Sequence, residues 1–345
     1  MAKFRAWLSI VVVGLLLAVV IHHVRVMVFT DNLHRVILSD MSLLDGKPQW
    51  RIFQSRLLGP SLANVLMREA SPDLGYVVFD LIGFGAAGVM AWRIGAEIVG
   101  SRAGALAATL CLGLGIVALF VPDWCYAWDV LGPAFFMIFA YLVVTDAKPL
   151  SFALLFAVAI WNREDALFMA LYLIVQPVLD WGADRERRQR TPLDWQRIAT
   201  GVICFAAGMI LISTLRGLLM VRELGPDLYG ERIPVTSFFH WNVLRNLDVV
   251  PHYIRWTAME MPAFVMLPPL AVIAACIYLG RVAELRYAGY ALVNLGMVLA
   301  TALFGFTPEL RQWVDSLPAI VLAVSFALAR ADAAAPDAGG QVSRL

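Results

Sequence analysis

Residues 103–122 read AGALAATLCLGLGIVALFVP, twenty positions without a charge, bounded by Arg102 and Asp123. A helix needs about 20 predominantly apolar residues to cross the hydrocarbon core of a bilayer. The stretch therefore predicts a membrane-spanning helix. Its surroundings repeat the pattern. Clear apolar runs recur at 6–29, 198–216, 261–280 and 287–307, with shorter or interrupted ones at 75–99, 129–145, 149–161, 166–180 and 314–329. The composition agrees: 61% of the chain is hydrophobic and 15% charged, against roughly 25% charged in a soluble domain. Mean hydropathy is +0.75. The expected architecture is all-α: a polytopic bundle of about ten spans over residues 1–330, followed by a small, polar cytoplasmic tail at 331–345 that reads as disordered.

The first run needs its own argument. Lys3 and Arg5 precede it, as in a signal peptide. No small-x-small cleavage site stands before His22-His23, and the run is long for a signal sequence, so it reads as an uncleaved first span.

Basic residues orient the bundle. With the N-terminus in the cytoplasm, the inner segments carry Lys3, Arg5, Arg93, Arg102, Lys148, the cluster Arg185 to Arg197, Arg281, Arg286 and Arg330. Short inner connections rich in Lys and Arg are what the positive-inside rule expects. Both termini are then cytoplasmic, in a multi-pass protein of the plasma (inner) membrane. Two of the outer connections, 31–74 and 217–260, are long. Trp50, Phe53, Leu57, Leu58, Leu62, Val65 and Leu66 fall near helical spacing in the first. Phe238, Phe239, Trp241, Leu244 and Leu247 do so in the second. Aromatic-rich amphipathic helices of this kind lie in the membrane interface.

Other classes of function find little footing. The net charge of +1 gives no basis for nucleic-acid binding. Cys111, Cys125, Cys204 and Cys276 have neither CxxC nor metal-ligand spacing. The run Gly83 to Gly88 matches G-x-G-x-x-G but sits inside a span, where small residues serve close helix packing. HExxH, GxSxG and P-loop patterns are absent. Ion-coupled transporters place acids at mid-membrane or break their helices in matching halves, and neither pattern stands out.

The informative residues gather on the outer side. Asn162-Arg163-Glu164-Asp165 packs three charges into a very short turn. These charges could pair as a salt-bridge cluster, or Arg163 could present its donor fork to a phosphate with Glu164 orienting it or meeting a hydroxyl. Glu309-Leu310-Arg311 repeats the theme. Asp123 to Asp129 places two acids among Trp124, Tyr126 and Trp128, a set suited to stacking on sugar rings. The first outer loop adds Asp31, His34, Asp40 and, in RLLGP, Arg56.

Asp31 with the Gly46 turn, the Gln49–Pro60 run, YAWD at 126–129, NRED at 162–165 and ELR at 309–311 together resemble the GT-C membrane glycosyltransferases. The resemblance is spread over nearly the whole chain through short motifs. It implies transfer of a sugar from a polyprenyl-phosphate donor at the outer face, in the service of a cell-envelope polysaccharide, or a related polymerase or ligase activity. It implies catalytic roles for Asp31, with Asp40 as second candidate, and phosphate or pocket contacts for Arg163 and Arg311. Arg56, Asp129, Glu164, Glu309 and His34 complete the substrate-binding candidates. The chain departs from the family pattern in having no adjacent acid pair after the first span. No cofactor is implied; a divalent metal is left open. The expected partners are membrane lipids, a lipid-linked sugar and a glycan or protein acceptor. The rival readings are a transporter or flippase for a lipid-linked or polar solute, and a membrane scaffold whose outer charges are structural pairs.

Overall fold

The computed structural model describes residues 2–44, 56–120, 125–186, 192–219, 262–282, 284–304 and 310–334. Among these residues there are eleven α-helices and no strand. They are α1 (Ala2–Leu44), α2 (Leu58–Glu69), α3 (Pro72–Val99), α4 (Arg102–Phe120), α5 (Ala127–Val144) and α6 (Pro149–Ala159). The remainder are α7 (Leu167–Glu186), α8 (Trp195–Leu219), α9 (Pro262–Val282), α10 (Leu285–Phe304) and α11 (Leu317–Ala334). Two 3-10 segments, Glu164–Ala166 and Leu310–Ser316, lead into α7 and α11.

Eight helical stretches are long and apolar enough to cross a membrane, and the shorter apolar helices Pro149–Ala159 and Leu267–Arg281 supply two more candidates. The polytopic helical bundle expected from the hydropathy pattern is thus the architecture of the protein. Lipid-facing composition is visible on the outside: Leu16, Val20, Leu110, Leu114, Ile203 and Ile210 are all exposed.

The helix boundaries follow local chemistry. Ser71 caps α3 by accepting a hydrogen bond from the Leu74 N–H at 3.3 Å, with Pro72 at the first helical position. At the other end of α3, Gly100 adopts φ 73°, the left-handed conformation that glycine reaches without steric cost. Asp129 closes the first turn of α5 by accepting from the Tyr126 N–H at 3.0 Å.

Small residues set the helix spacing, as the glycine run suggested. A Cβ at Gly88 of α3 would lie 3.2 Å from the Gly14 Cα of α1, and one at Gly83 would lie 2.9 Å from the Val130 carbonyl of α5. A Cβ on Gly59 would meet the Ala127–Trp128 backbone at 2.7 Å, so α2 docks its Gly59, Pro60, Ala63 and Met67 face onto the bundle. At the α3–α4 contact, a Cβ on Gly95 would meet the Ala108 Cβ and the Gly104 carbonyl, each at 2.7 Å. Gly95→Val forces these helices apart and costs about 1–3 kcal/mol, as overpacking does. Thermal unfolding in detergent micelles reads this as a lower midpoint. Gly182→Ala on α7, where nothing lies within 4 Å, leaves the midpoint unchanged or raises it.

Three expectations are corrected. The chain does not leave helical structure after residue 30: α1 continues to Leu44, past the apolar segment Trp7–Met27. Asp31, His34 and Asp40 therefore sit on a helix that emerges from the apolar layer, not on a loop. A continuous helix satisfies its backbone hydrogen bonds without needing a turn at the interface. Second, an acid does stand inside a span: Asp80 lies two turns into the 28-residue α3 and is fully buried. Third, α11 runs to Ala334, so helical structure extends into the predicted tail. Residues 335–345 and the expected interfacial helix around Phe238 to Leu247 lie outside the described residues.

Candidate functional site

The YAWD and NRED segments and Arg311 share one end of the bundle, where their side chains meet. The NRED turn follows α6 and is anchored through its neighbours. The Trp161 carbonyl accepts hydrogen bonds from the Leu57 and Leu58 N–H groups, both at 3.0 Å. The Asn162 amide donates to the Trp128 carbonyl at 2.8 Å. These bonds fix the turn against the starts of α2 and α5, and Arg163 is thereby directed into the fold.

Arg163 is the hub. Its guanidinium reaches Asp129 at 3.2 Å, Asp165 at 2.9 Å and Asp315 at 3.4 Å. Only 6% of the residue is exposed, while Asp129 and Asp315 are sealed off. Burial disfavours its charged form, but Asp315, Asp165, Asp129 and Glu164 outweigh that effect and hold its pKa above the ordinary arginine value. Arg311 approaches the other Asp129 oxygen at 3.9 Å and lies 4.7 Å over the Tyr126 ring. Tyr126 in turn stacks on Trp128 at 4.6 Å. Arg56 lies 5.5 Å from the Trp128 ring. Arg56 and Arg216 both grip Glu164, at 3.2 and 2.6 Å.

Four arginines (Arg56, Arg163, Arg216, Arg311) thus face four acids (Asp129, Glu164, Asp165, Asp315) around an aromatic pair. Ionisable groups in a membrane protein are expensive and mark functional sites by default. One acid is incompletely satisfied. Neither oxygen of Asp315 has a hydrogen-bond partner among the described residues, and a Cβ at Gly132 would strike its Oδ1.

A second network lies beside the first. Arg25 of α1 donates to both oxygens of Asp80 at 2.8 Å, to the Tyr76 hydroxyl at 3.1 Å and to the Cys125 carbonyl. His22 Nδ1 is 2.8 Å from Asp80 Oδ2. Because Cys125 immediately precedes Tyr126, Arg25 and Arg311 are coupled to adjacent residues of one short segment. Arg93 and Arg197, two of the basic residues assigned to inner connections, lie at the far end instead. Arg93 lies over the Trp7 and Tyr141 rings, and Arg197 pairs with Asp146 at 2.7 Å.

Five of the predicted site residues, Arg56, Asp129, Arg163, Glu164 and Arg311, are therefore brought together. Glu309 lies outside the described residues, as do the side chains of Asp31, His34 and Asp40. Sequence reasoning missed Asp315, Arg216, His22, Arg25 and Asp80 as members of these networks. A usable signal was present for two of them: Arg25 and Arg216 are arginines at the end of a span where the positive-inside rule expects none. Among the described residues, no group of three or more His, Cys, Asp or Glu is placed to hold a metal ion. Comparison of the chain with protein-family models, curated proteins and solved structures finds no match.

Proposed function

We propose that this chain is a membrane glycosyltransferase, or a related glycan polymerase or ligase. Its donor is a polyprenyl-phosphate-linked sugar, used at the face of the membrane opposite the Arg93–Arg197 end. The observation that carries the reading is the convergence of Arg56, Asp129, Arg163, Glu164 and Arg311 at one end of an apolar bundle. They come from segments that have no local reason to meet.

The chemistry asks for such a set. Departure of a lipid phosphate develops negative charge, which prearranged guanidinium groups stabilise. Planar arginine forks match phosphate oxygens two at a time. The acids hold these arginines in place before the donor arrives. The buried Tyr126–Trp128 stack backs the Arg311 and Arg56 guanidinium groups instead of offering a face to a sugar, and the lipid tail remains in the bilayer beside the bundle. Asp31, nine residues beyond His22 on α1 and about 13 Å further along the helix axis, serves to orient the acceptor. In this reading the protein is in the plasma membrane with both termini in the cytoplasm.

The test uses the full chain in lipid nanodiscs with a panel of polyprenyl-phosphate-linked hexoses and pentoses. The readout is release of polyprenyl phosphate together with a new glycosidic product. Arg311→Ala is expected to lower kcat by about 10²–10³-fold, the usual loss for one electrostatic stabiliser. Because Arg311 is buried and pairs with Asp129, Arg311→Ala should also lower the unfolding midpoint, so kcat is compared with that of Arg311→Lys, which keeps the charge but not the planar fork. Uptake of a solute into proteoliposomes with no covalent product would overturn the reading in favour of transport.

A further inference from the structure

We infer that His22, held by Asp80, is the proton acceptor that activates the acceptor hydroxyl; the inference rests on the glycosyl-transfer reading above. The geometry is that of an oriented histidine. Asp80 is fully buried and gripped through both oxygens by Arg25 at 2.8 Å. It is therefore a hydrogen-bond acceptor toward His22, and the 2.8 Å contact places the imidazole proton on Nδ1. This leaves the Nε2 lone pair available, and Nε2 has no partner among the described residues.

The network is more than packing requires. Arg25 and Asp80 alone neutralise each other and join α1 to α3. His22 adds no needed charge, yet it is aligned on the carboxylate. Of the pair, His22 has 16% of its side chain exposed, whereas Asp80 has none. Position agrees as well. The Arg25 guanidinium that fixes Asp80 also holds the Cys125 carbonyl, one residue before the Tyr126 ring on which Arg311 rests. Arg25, which fixes Asp80, and Arg311, a proposed phosphate ligand, thus contact the consecutive residues Cys125 and Tyr126.

The step balances without an added reagent. The acceptor O–H proton passes to His22 Nε2 as the acceptor oxygen bonds to the anomeric carbon. The bond from that carbon to the phosphate oxygen breaks, and its electron pair leaves with the polyprenyl phosphate. The imidazolium formed is stabilised by Asp80, as in other histidine–carboxylate pairs. Arg25 and Asp80 are positioning residues, since neither touches substrate in this scheme. The titratable groups around His22 are Asp80 and Tyr76 of α3, Arg25 of α1 and Cys125 before α5. Cys111 and Arg102 of α4, and Arg68 and Glu69 of α2, make no hydrogen bond with the pair.

The test compares wild type, His22→Gln, Asp80→Asn and Asp31→Asn in nanodiscs. Binding of unglycosylated polyprenyl phosphate, transfer from the donor panel and the pH dependence of kcat are measured for each. In His22→Gln, binding should stay within about twofold of wild type while kcat falls about 10²–10⁴-fold, the usual range for a general base, and the acid limb of the profile disappears. Nitrogen NMR of ¹⁵N-histidine-labelled wild type, assigned by difference from His22→Gln, should show His22 protonated on Nδ1, and Asp80→Asn should lose that preference. Asp31→Asn should raise KM for the acceptor and keep the acid limb. Full transfer by His22→Gln, loss of activity with the acid limb intact, or an Nε2–H tautomer in wild type would overturn the role of His22 alone. Wild type that binds polyprenyl phosphate but transfers nothing from any donor would overturn the glycosyl-transfer reading and the base with it.

Discussion

Arg163→Ala is expected to lower the stability of the folded bundle by about 3–5 kcal/mol, the cost of removing one partner from a buried ion pair. Arg163 faces three carboxylates at once, and two of them, Asp129 and Asp315, have no route to water. Without it Asp129 keeps only Arg311 at 3.9 Å and the Tyr126 N–H, and Asp315 loses its ion pair. The penalty is chiefly the desolvated charge left behind. Arg163→Lys should recover part of it, because an ammonium supplies the charge but not a fork able to address three acids. Asp315→Asn should also relieve Arg163→Ala partially, by removing one uncompensated carboxylate. Denaturant or thermal unfolding in detergent, followed by circular dichroism and tryptophan fluorescence, measures all three. A loss below about 1 kcal/mol in Arg163→Ala, the range of exposed pairs, would show that these acids do not depend on it.

The second large effect belongs to α1 and α3. Arg25→Met leaves Asp80 with His22 alone, and Asp80→Leu leaves Arg25 with only the Tyr76 hydroxyl and a carbonyl. Each single change should cost about 3–5 kcal/mol. The double variant should be markedly more stable than the sum predicts, because a pair of apolar side chains replaces a pair of desolvated ions. The coupling energy from this cycle measures the pair itself. Strict additivity of the two single effects would mean that the contact at 2.8 Å contributes no interaction energy. Tertiary consequences should extend to α5, since Arg25 also holds the Cys125 carbonyl ahead of the Asp129 cap.

The two networks differ in how far they could be anticipated. NRED at 162–165 is conspicuous because three charges interrupt apolar sequence in a turn that needs none. Tyr126 to Asp129 and Arg311 stand out for the same reason. Asp315 does not, because it lies at the margin of a long apolar run and reads as part of a span. His22 and Arg25 are concealed likewise: they end a hydrophobic run and look like its flank.

What the amino-acid order determined by itself was the all-helical membrane architecture, the approximate limits of the apolar segments and the segregation of charge to their ends. These properties depend on hydropathy summed over about twenty neighbouring residues, so they are written locally. Which ends meet was decided only by tertiary packing. Arg56 finds Glu164 across 108 residues and Arg25 finds Asp80 across 55. Those pairings depend on which helices touch and how closely, and glycines such as Gly59, Gly83 and Gly88 set that distance. An apolar helix surface is nearly uniform in composition, so its period does not encode which neighbour it meets. Only the assembled bundle turns scattered charges into two connected sites.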